Sequence, residues 1–308
     1  PIWIFKYFPS QDGPSHIHNS YVLKELHQEQ STLLRECYKL NLTLFPNWFS
    51  LPFMAALMYI FPPLVTEKIL LSIIISLLPL SIFYFLDAVH KGKNLYGFLG
   101  FLFSYHYLLH MGFYNFSLSV PLFFFALGYF MKNKEEMSLD KVALLNLLSI
   151  LTYFCHIVTY ILLILSLTLL SVTSFYRKPK WILGLLFYML PLYFIMANYL
   201  LSSASGQTHN YWNKSQLWNY FINTKSLVYY TDSQQTITRA MLVLLGLLFI
   251  AALYNRIRQR KIISKGDQFL LISGIFTAIY FILPWEIGPG GWINDRVNLF
   301  IFLVLLPF

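Results

Sequence analysis

The chain has 308 residues, of which 57% are hydrophobic and only 11% are charged, and its mean hydropathy is +0.58. Soluble domains carry about 25% charged residues, so this composition excludes a soluble fold. It predicts an all-α, polytopic membrane protein, because a helix satisfies its own backbone hydrogen bonds in lipid. The net charge of +9 does not indicate a nucleic-acid partner, since no soluble segment combines a basic face with interleaved aromatic residues.

The basic residues indicate topology instead. Thirteen of the 22 Lys and Arg residues lie in four short stretches between apolar runs. These residues are Lys91 and Lys93; Lys132, Lys134 and Lys141; Arg177, Lys178 and Lys180; and Arg256, Arg258, Arg260, Lys261 and Lys265. Short basic loops stay on the cytoplasmic side, so an even number of crossings is expected between successive stretches.

The apolar runs predict about nine crossings within a single transmembrane domain over 1–308. The run 95–131 is expected to form a hairpin that turns near Met111-Gly112-Phe113. The run 142–176 is expected to form two short crossings that turn near Cys155-His156. The chain starts on Pro1 and stops inside an apolar run, so we expect a fragment with a truncated first and last crossing.

Two long segments are expected on the outer side, 9–63 and 203–236. The first contains an apolar run at 48–61 that is short for a crossing and is followed by Pro62-Pro63. We therefore expect a juxtamembrane helix that lies in the outer interface.

The densest polar cluster follows the first crossing and reads Asp12-Gly13-Pro14-Ser15-His16-Ile17-His18-Asn19. Asp12 is a candidate general base at the outer surface, or else a residue that stabilises the turn and the start of a helix at Pro14. His16 and His18 are two residues apart, so only an extended segment would direct both side chains at one ion.

Other polar residues are expected at the outer ends of later helices. His106 and His110 share a helix face, Tyr114 and Asn115 follow, and His156 lies at the next outer turn. The histidines either form hydrogen bonds between helices or line a polar pocket that opens outward.

A glycine-rich outer turn, residues 285–293, precedes Asp295 and Arg296. Arg296 either binds an anionic group such as a phosphate, or pairs with Asp295 or extends toward the interface. The turn is not a nucleotide-binding loop, because no GK[ST] follows it. The sequence contains no ATP-binding motif, which makes primary active transport by this chain alone an unfavoured function.

These motifs resemble the GT-C class of polyprenyl-phosphate-dependent glycosyltransferases. The layout is most similar to the membrane region of the protein mannosyltransferase and aminoarabinose transferase group, and also resembles uncharacterised bacterial membrane proteins. The resemblance rests on the Asp12–Asn19 stretch and on four further elements: Pro46-Asn47-Trp48, Pro62-Pro63 with Glu67-Lys68, Gly112-Phe113-Tyr114-Asn115-Phe116, and Asn294-Asp295-Arg296.

The resemblance implies an enzyme of the bacterial cytoplasmic membrane with its active face outward. Such an enzyme moves a sugar from a polyprenyl-phosphate donor to an extracytoplasmic acceptor, with Asp12 as general base. The residues implied to bind substrate are His16, His18, His110, Tyr114, Asn115, His156, Asp295 and Arg296. No cofactor is certain, and a divalent cation stays open. The alternatives are a transporter or lipid flippase, and a non-catalytic membrane protein of the same fold.

Overall fold

The computed structural model describes residues 2–26, 32–41, 43–92, 94–203, 208–227, 231–259, 266–288 and 290–308. Several expectations therefore fall outside the described residues. They concern Lys93 and residues 260–265 in the basic loops, residues 27–31, 42, 204–207 and 228–230 in the outer segments, and Pro1 and Pro289.

The structure is 73% helical, with almost no strand, so the prediction of an all-α fold is confirmed. The α-helices are α1 (Gly13–Glu25), α2 (Thr32–Cys37), α3 (Ser50–Leu57), α4 (Pro63–His90), α5 (Tyr107–His110), α6 (Tyr114–Asn133), α7 (Leu139–Cys155), α8 (Ile157–Ser174), α9 (Pro179–Tyr188), α10 (Leu190–Ser203), α11 (Lys214–Ile222), α12 (Gln235–Arg258), α13 (Asp267–Ile282) and α14 (Ile293–Leu303). Two 3-10 helices cover Asn94–Phe103 and Asp232–Gln234. The short strands β1 (His209–Asn210) and β2 (Glu286–Ile287) pair antiparallel.

Four helices are long and apolar enough to cross a membrane: Pro63–His90, Tyr114–Asn133, Ile157–Ser174 and Asp232–Arg258. Helices α9 and α10 count as a fifth span if the pair, bent by 58°, is taken as one. These helices are consistent with an integral membrane protein. About nine crossings are not confirmed, because α13 and others are shorter.

Helix α6 lies at the centre of the fold, packed against α4, α7 and α8. In its most apolar 18-residue stretch, 83% of the residues are buried. The centroids of the Phe123 and Phe300 rings are 4.7 Å apart, which joins α6 to α14. Phe85 of α4 packs on Phe124 at 5.4 Å.

A helix break is present at the expected position, Cys155-His156. His156 alone separates α7 from α8, with an extended backbone at φ −162° and ψ 126°. The expected break at Gly112 is also present, with φ +83°. Helix α3 is only about 12 Å long at 1.5 Å per residue, too short to cross a hydrocarbon core of about 30 Å.

The first half of the run 95–131 differs from the expectation. Residues 94–103 form a 3-10 helix that packs on α4, and only Tyr114–Asn133 is a long α-helix. A Cβ on Gly97 would lie 2.1 Å from a Phe83 ring carbon, and one on Gly100 would lie 3.0 Å from Cα of Pro79. The two glycines therefore allow this segment to lie directly against α4.

Candidate functional site

The Asp12 turn packs directly on the Gly112 turn. The backbone N–H of Gln11 donates to the carbonyl of His110 at 2.9 Å, and that of Asp12 donates to the carbonyl of Met111 at 3.1 Å. A Cβ on Gly112 would lie 2.6 Å from the Asp12 nitrogen, so glycine is required here for both space and backbone conformation. Two segments separated by 100 residues of sequence therefore form one end of the bundle.

Asp12 takes the N-cap position of α1, as one sequence interpretation expected. Among the described residues, however, its side chain accepts no capping hydrogen bond from α1. The residue is half-buried. Its carboxylate therefore does not cap the helix and can act as a proton acceptor.

A second carboxylate lies beside the turn and was not singled out as a site residue by the sequence. Glu67 of α4 is only 3% exposed, and its Oε1 accepts a hydrogen bond from the Tyr114 hydroxyl at 2.5 Å. Ser10 Oγ lies 2.8 Å from the same hydroxyl. A carboxylate in the second turn of a long apolar helix was the available signal, because such a group needs a polar partner when buried.

His16 and His18 lie on a helix, so the extended segment that could aim both at one ion is not formed. The His16 ring stacks on Tyr114, with centroids 5.1 Å apart. Burial lowers the pKa of His16, although the nearby Asp12 opposes this shift. The ring is therefore neutral near pH 7.

His110 packs on the Asp12 turn from the other side. Its ring stacks on Phe8 at 5.4 Å, and its Nδ1 lies 3.1 Å from the Pro9 carbonyl oxygen. Burial lowers the pKa of His110 as well. His110 therefore fixes the chain that leads into Asp12 while lying next to it.

A groove of about 480 Å³ opens between α1 and the start of α4. It is lined by Tyr7, Phe8, Pro14, Ile17, His18, Tyr21, Pro63, Leu64 and Glu67. Neither Asp12 nor Arg296 lines this space, which we call the α1–α4 groove.

Asn115 holds a loop instead of facing an open space. Its Oδ1 accepts the Ser50 backbone N–H at 2.7 Å, and its Nδ2 donates to the Asn47 carbonyl at 2.8 Å. Asn47 has φ +68°, in the left-handed region. Both ends of the Asn115 amide are therefore used to fix the segment that leads into α3.

Arg296 and Asp295 occupy the first turn of α14, after Trp292 with its left-handed φ of 62°. Asp295 is fully buried, and burial raises its pKa to about 6. Within the described part of the chain, no ion pair within 4.0 Å joins Asp295 to Arg296. The paired arrangement considered from the sequence is therefore not formed.

The Arg296 guanidinium is held by aromatic rings. It lies 4.7 Å from the centroid of the Phe113 ring and 5.8 Å from that of Phe116, and it donates to the Gly291 carbonyl. His156 packs edge-on to Phe116 at 5.1 Å. His106 also contacts Phe116, but its Nδ1 accepts the Leu109 N–H at 3.2 Å, which makes it a helix cap.

The region around the start of α14 contains most of the buried polar side-chain atoms that lack a hydrogen-bond partner among the described residues. They are His156 Nδ1, Trp285 Nε1, Asn294 Oδ1, Arg296 Nε and Asn298 Nδ2. The Tyr220 hydroxyl and the Asp295 carboxylate are buried in the same region and interact with each other. Buried polar atoms are normally satisfied, so such a concentration indicates a place where water or a polar ligand is needed. The set offers both donors and acceptors.

Aromatic rings from the outer segment 203–236 border this unpartnered set. Trp212 stacks on Trp285 with centroids 5.5 Å apart, and Trp285 contacts Trp292 at 5.6 Å. The strand pair β1–β2 joins the two chain segments that carry these tryptophans. Sequence reasoning missed Trp212 and Tyr220, for which the aromatic content of the segment was the only signal.

Phe113 connects the two halves of the site. It follows Gly112, which contacts Asp12, and its ring contacts Arg296 and Trp292. Asp12 and Arg296 therefore lie on either side of one turn. A single cavity that contains both is not observed among the described residues.

No protein-family model matches the chain, and no curated protein or solved structure matches it either. The family resemblance therefore stays an expectation. In the described portion of the chain, no three His, Cys, Asp or Glu side chains are grouped as metal ligands. We assign no residues to a divalent cation.

Proposed function

We propose that the chain is a membrane glycosyltransferase that moves a sugar from a polyprenyl-phosphate donor to an acceptor on the extracytoplasmic face. The observation that carries the proposal is the Gly112-Phe113 turn. It contacts the backbone of Asp12, whose side chain makes no helix-capping hydrogen bond, and the Phe113 ring contacts the buried guanidinium of Arg296.

Asp12 is the general base of the proposed reaction. It takes the proton of an acceptor hydroxyl or amine as that group attacks the anomeric carbon of the sugar. The bond between the anomeric carbon and the phosphate oxygen breaks, and polyprenyl phosphate leaves with the bonding electrons. Its half-buried position supports this role, because an acceptor can reach it from outside the bundle.

Arg296 stabilises the phosphate in this proposal. A guanidinium suits phosphate geometry, and its effect is largest where water is excluded. The unpartnered donors and acceptors around Asp295, together with Trp285 and Trp292, supply the mixture of polar atoms and aromatic rings that suits a sugar. His156 and His110 border the same end of the bundle.

The proposal includes an outward orientation in a bacterial cytoplasmic membrane and about nine crossings. The basic stretches support the orientation through the positive-inside rule. The crossings beyond the long helices would use shorter ones, such as α7 and α13, which are about 25 Å long.

The test is complementation of a deletion strain, with surface glycans measured by mass spectrometry. Deletion should remove a specific glycan, and the wild-type chain should restore it. Asp12→Asn should reduce transfer at least about 100-fold, the low end of general-base effects, with normal expression. Asp232→Asn changes another outer carboxylate and serves as the matched control.

The two variants also separate the alternatives. Full restoration of the glycan by Asp12→Asn would show that Asp12 is not the base. Deletion without any change in surface glycans would contradict the assignment as a glycosyltransferase. Loss of transfer in Asp232→Asn as well would point to damage of the outer segments and not to chemistry at Asp12.

A further inference from the structure

The α1–α4 groove combines an apolar lining with one buried carboxylate. Seven of its lining residues are aromatic, aliphatic or proline: Tyr7, Phe8, Pro14, Ile17, Tyr21, Pro63 and Leu64. Glu67 lies in its wall at 3% exposure, and His18 lies at its edge. Neither Asp12 nor Arg296 lines the groove.

Glu67 has no ion-pair partner among the described residues. Its Oε1 accepts a hydrogen bond from the Tyr114 hydroxyl. None of the described Lys, Arg or His nitrogens lies within 4.0 Å of its carboxylate. The neighbouring Lys68 extends elsewhere, with its Nζ donating to the Phe5 carbonyl at 2.7 Å and lying 5.7 Å from the Trp3 ring. A buried carboxylate without a cation is costly, so the group either takes up a proton or gains a cationic partner, and a cation that reaches the groove would stabilise the charged form.

The groove lies at the end of a membrane-spanning helix. Pro63 and Leu64 are the first two residues of α4, and Glu67 lies only one turn further. The ends of such helices lie at the level of the lipid headgroups, where aromatic side chains such as Tyr7 and Tyr21 are common. A lipid can therefore place its headgroup at Glu67 and its glycerol and acyl portion against the apolar lining.

We propose that the α1–α4 groove binds the primary ammonium headgroup of a bilayer lipid through Glu67. The carboxylate oxygen not engaged by Tyr114 can accept a hydrogen bond from a donor that also brings a positive charge. A primary ammonium offers three N–H donors. A quaternary choline headgroup offers none, and a glycerol headgroup brings no positive charge. An ethanolamine lipid is thus the matching class.

The test is native mass spectrometry of the full chain in a neutral maltoside detergent. Phosphatidylethanolamine, phosphatidylcholine and phosphatidylglycerol with identical acyl chains are added in equal amounts. The wild-type chain should bind the ethanolamine lipid at least about tenfold more strongly than the other two, a modest value for an interaction with a buried charge. Glu67→Gln should abolish this preference.

Two controls keep the result decisive. Glu25→Gln removes a carboxylate at the end of α1 that does not line the groove, and it should leave the preference unchanged. Thermal unfolding should show that Glu67→Gln is folded. Equal binding of the three lipids by the wild-type chain would overturn the proposal, as would a preference that survives in Glu67→Gln.

Soluble ethanolamine distinguishes the source of the amine. At the lipid concentration used, it should not displace the bound lipid, since it lacks the portion that packs on the lining. Displacement at equal concentration would show that the site recognises a free amine and would overturn the lipid assignment. Lipid binding does not depend on transfer activity, so this outcome and the complementation result are independent.

Discussion

At the scale of single residues, Gly13 is the point where the Asp12 turn meets the interior. A Cβ there would lie 2.0 Å from Ser10 Oγ, 2.5 Å from the Tyr114 hydroxyl and 2.7 Å from Glu67 Oε1. The last two atoms are joined by their own hydrogen bond, so making room for a Cβ would displace this buried pair. Gly13 thus allows the Asp12 turn to pack against the pair.

We expect Gly13→Ala to lower the free energy of unfolding by about 1–3 kcal/mol, as overpacking does elsewhere. Thermal unfolding in detergent measures it. Gly184→Ala is the matched control, because nothing lies within 4 Å of a Cβ at that position in α9. The control should be neutral or stabilising, by up to about 1 kcal/mol, through helix propensity. Equal behaviour of the two variants would contradict the packing described for Gly13.

The residues near Asp12 were predictable to different degrees. Gly112 was identified from the sequence, because glycine interrupts an apolar run there. The pairing of Glu67 with Tyr114 was not, since the two residues are 47 positions apart and belong to two separate motifs whose contact the sequence does not show. Hydropathy describes only the sequence neighbours of a carboxylate. Whether the carboxylate is buried depends on which other helix packs over it.

At the scale of elements, Asn115 ties the start of α6 to the segment that leads into α3. Both hydrogen bonds of its amide go to backbone groups, at Ser50 and Asn47. The same segment also bonds to α7, where the Trp48 N–H donates to the Phe154 carbonyl at 3.1 Å. Three helices therefore meet at one short stretch of chain.

Asn115→Ala should loosen this stretch and leave the Ser50 amide without its acceptor. We expect amide hydrogen exchange at 47–50 to rise at least about tenfold, since an unsatisfied buried donor costs about 1–3 kcal/mol. Exchange followed by mass spectrometry measures it. Asn146→Ala removes a comparable amide, bonded to the Tyr188 carbonyl, and should leave 47–50 unchanged. Unchanged exchange in Asn115→Ala would show that the other contacts suffice.

Helix boundaries were predictable where the length of an apolar run or the charge pattern indicated them. The break at His156 followed from the length of the run 142–176 and from the charge pattern, and α3 was recognised as too short to cross. The 3-10 helix Asn94–Phe103 was missed. Its two close contacts, Gly97 on Phe83 and Gly100 on Pro79, depend on the facing helix α4. The sequence shows only an apolar run, and such a run predicts a membrane crossing.

At the scale of the whole molecule, Cys37 reports the orientation in the membrane. It is exposed in the segment 9–63, which the charge pattern predicts to lie outside, whereas the other cysteine, Cys155, is buried. A membrane-impermeant maleimide should therefore label the wild-type chain in intact cells, with outer-membrane permeabilisation where such a membrane is present. Cys37→Ser should abolish labelling, and Cys155→Ser should leave it unchanged.

The labelling result decides which face carries Asp12. Reaction of Cys37 only after the cytoplasmic membrane is broken would place this segment inside and reverse the proposed topology. An outward-facing transfer site would then be excluded, even though the contacts around Gly112 would be unaffected. The charge pattern predicts that Cys37 is labelled in intact cells, because the basic stretches lie at the opposite ends of the long helices.

Helix α12 stands apart from the other spans, since only 11% of its most apolar stretch is buried, against 83% for α6. In the proposed membrane arrangement, this exposed surface of α12 contacts acyl chains. Its 24 residues extend about 36 Å, somewhat more than a hydrocarbon core of about 30 Å. Hydrophobic mismatch is accommodated by tilting or by local thickening of the bilayer, each at a modest free-energy cost. Among the four long candidate spans, α12 is therefore the one whose tilt is least constrained by packing against the described residues, and we expect it to respond most to bilayer thickness.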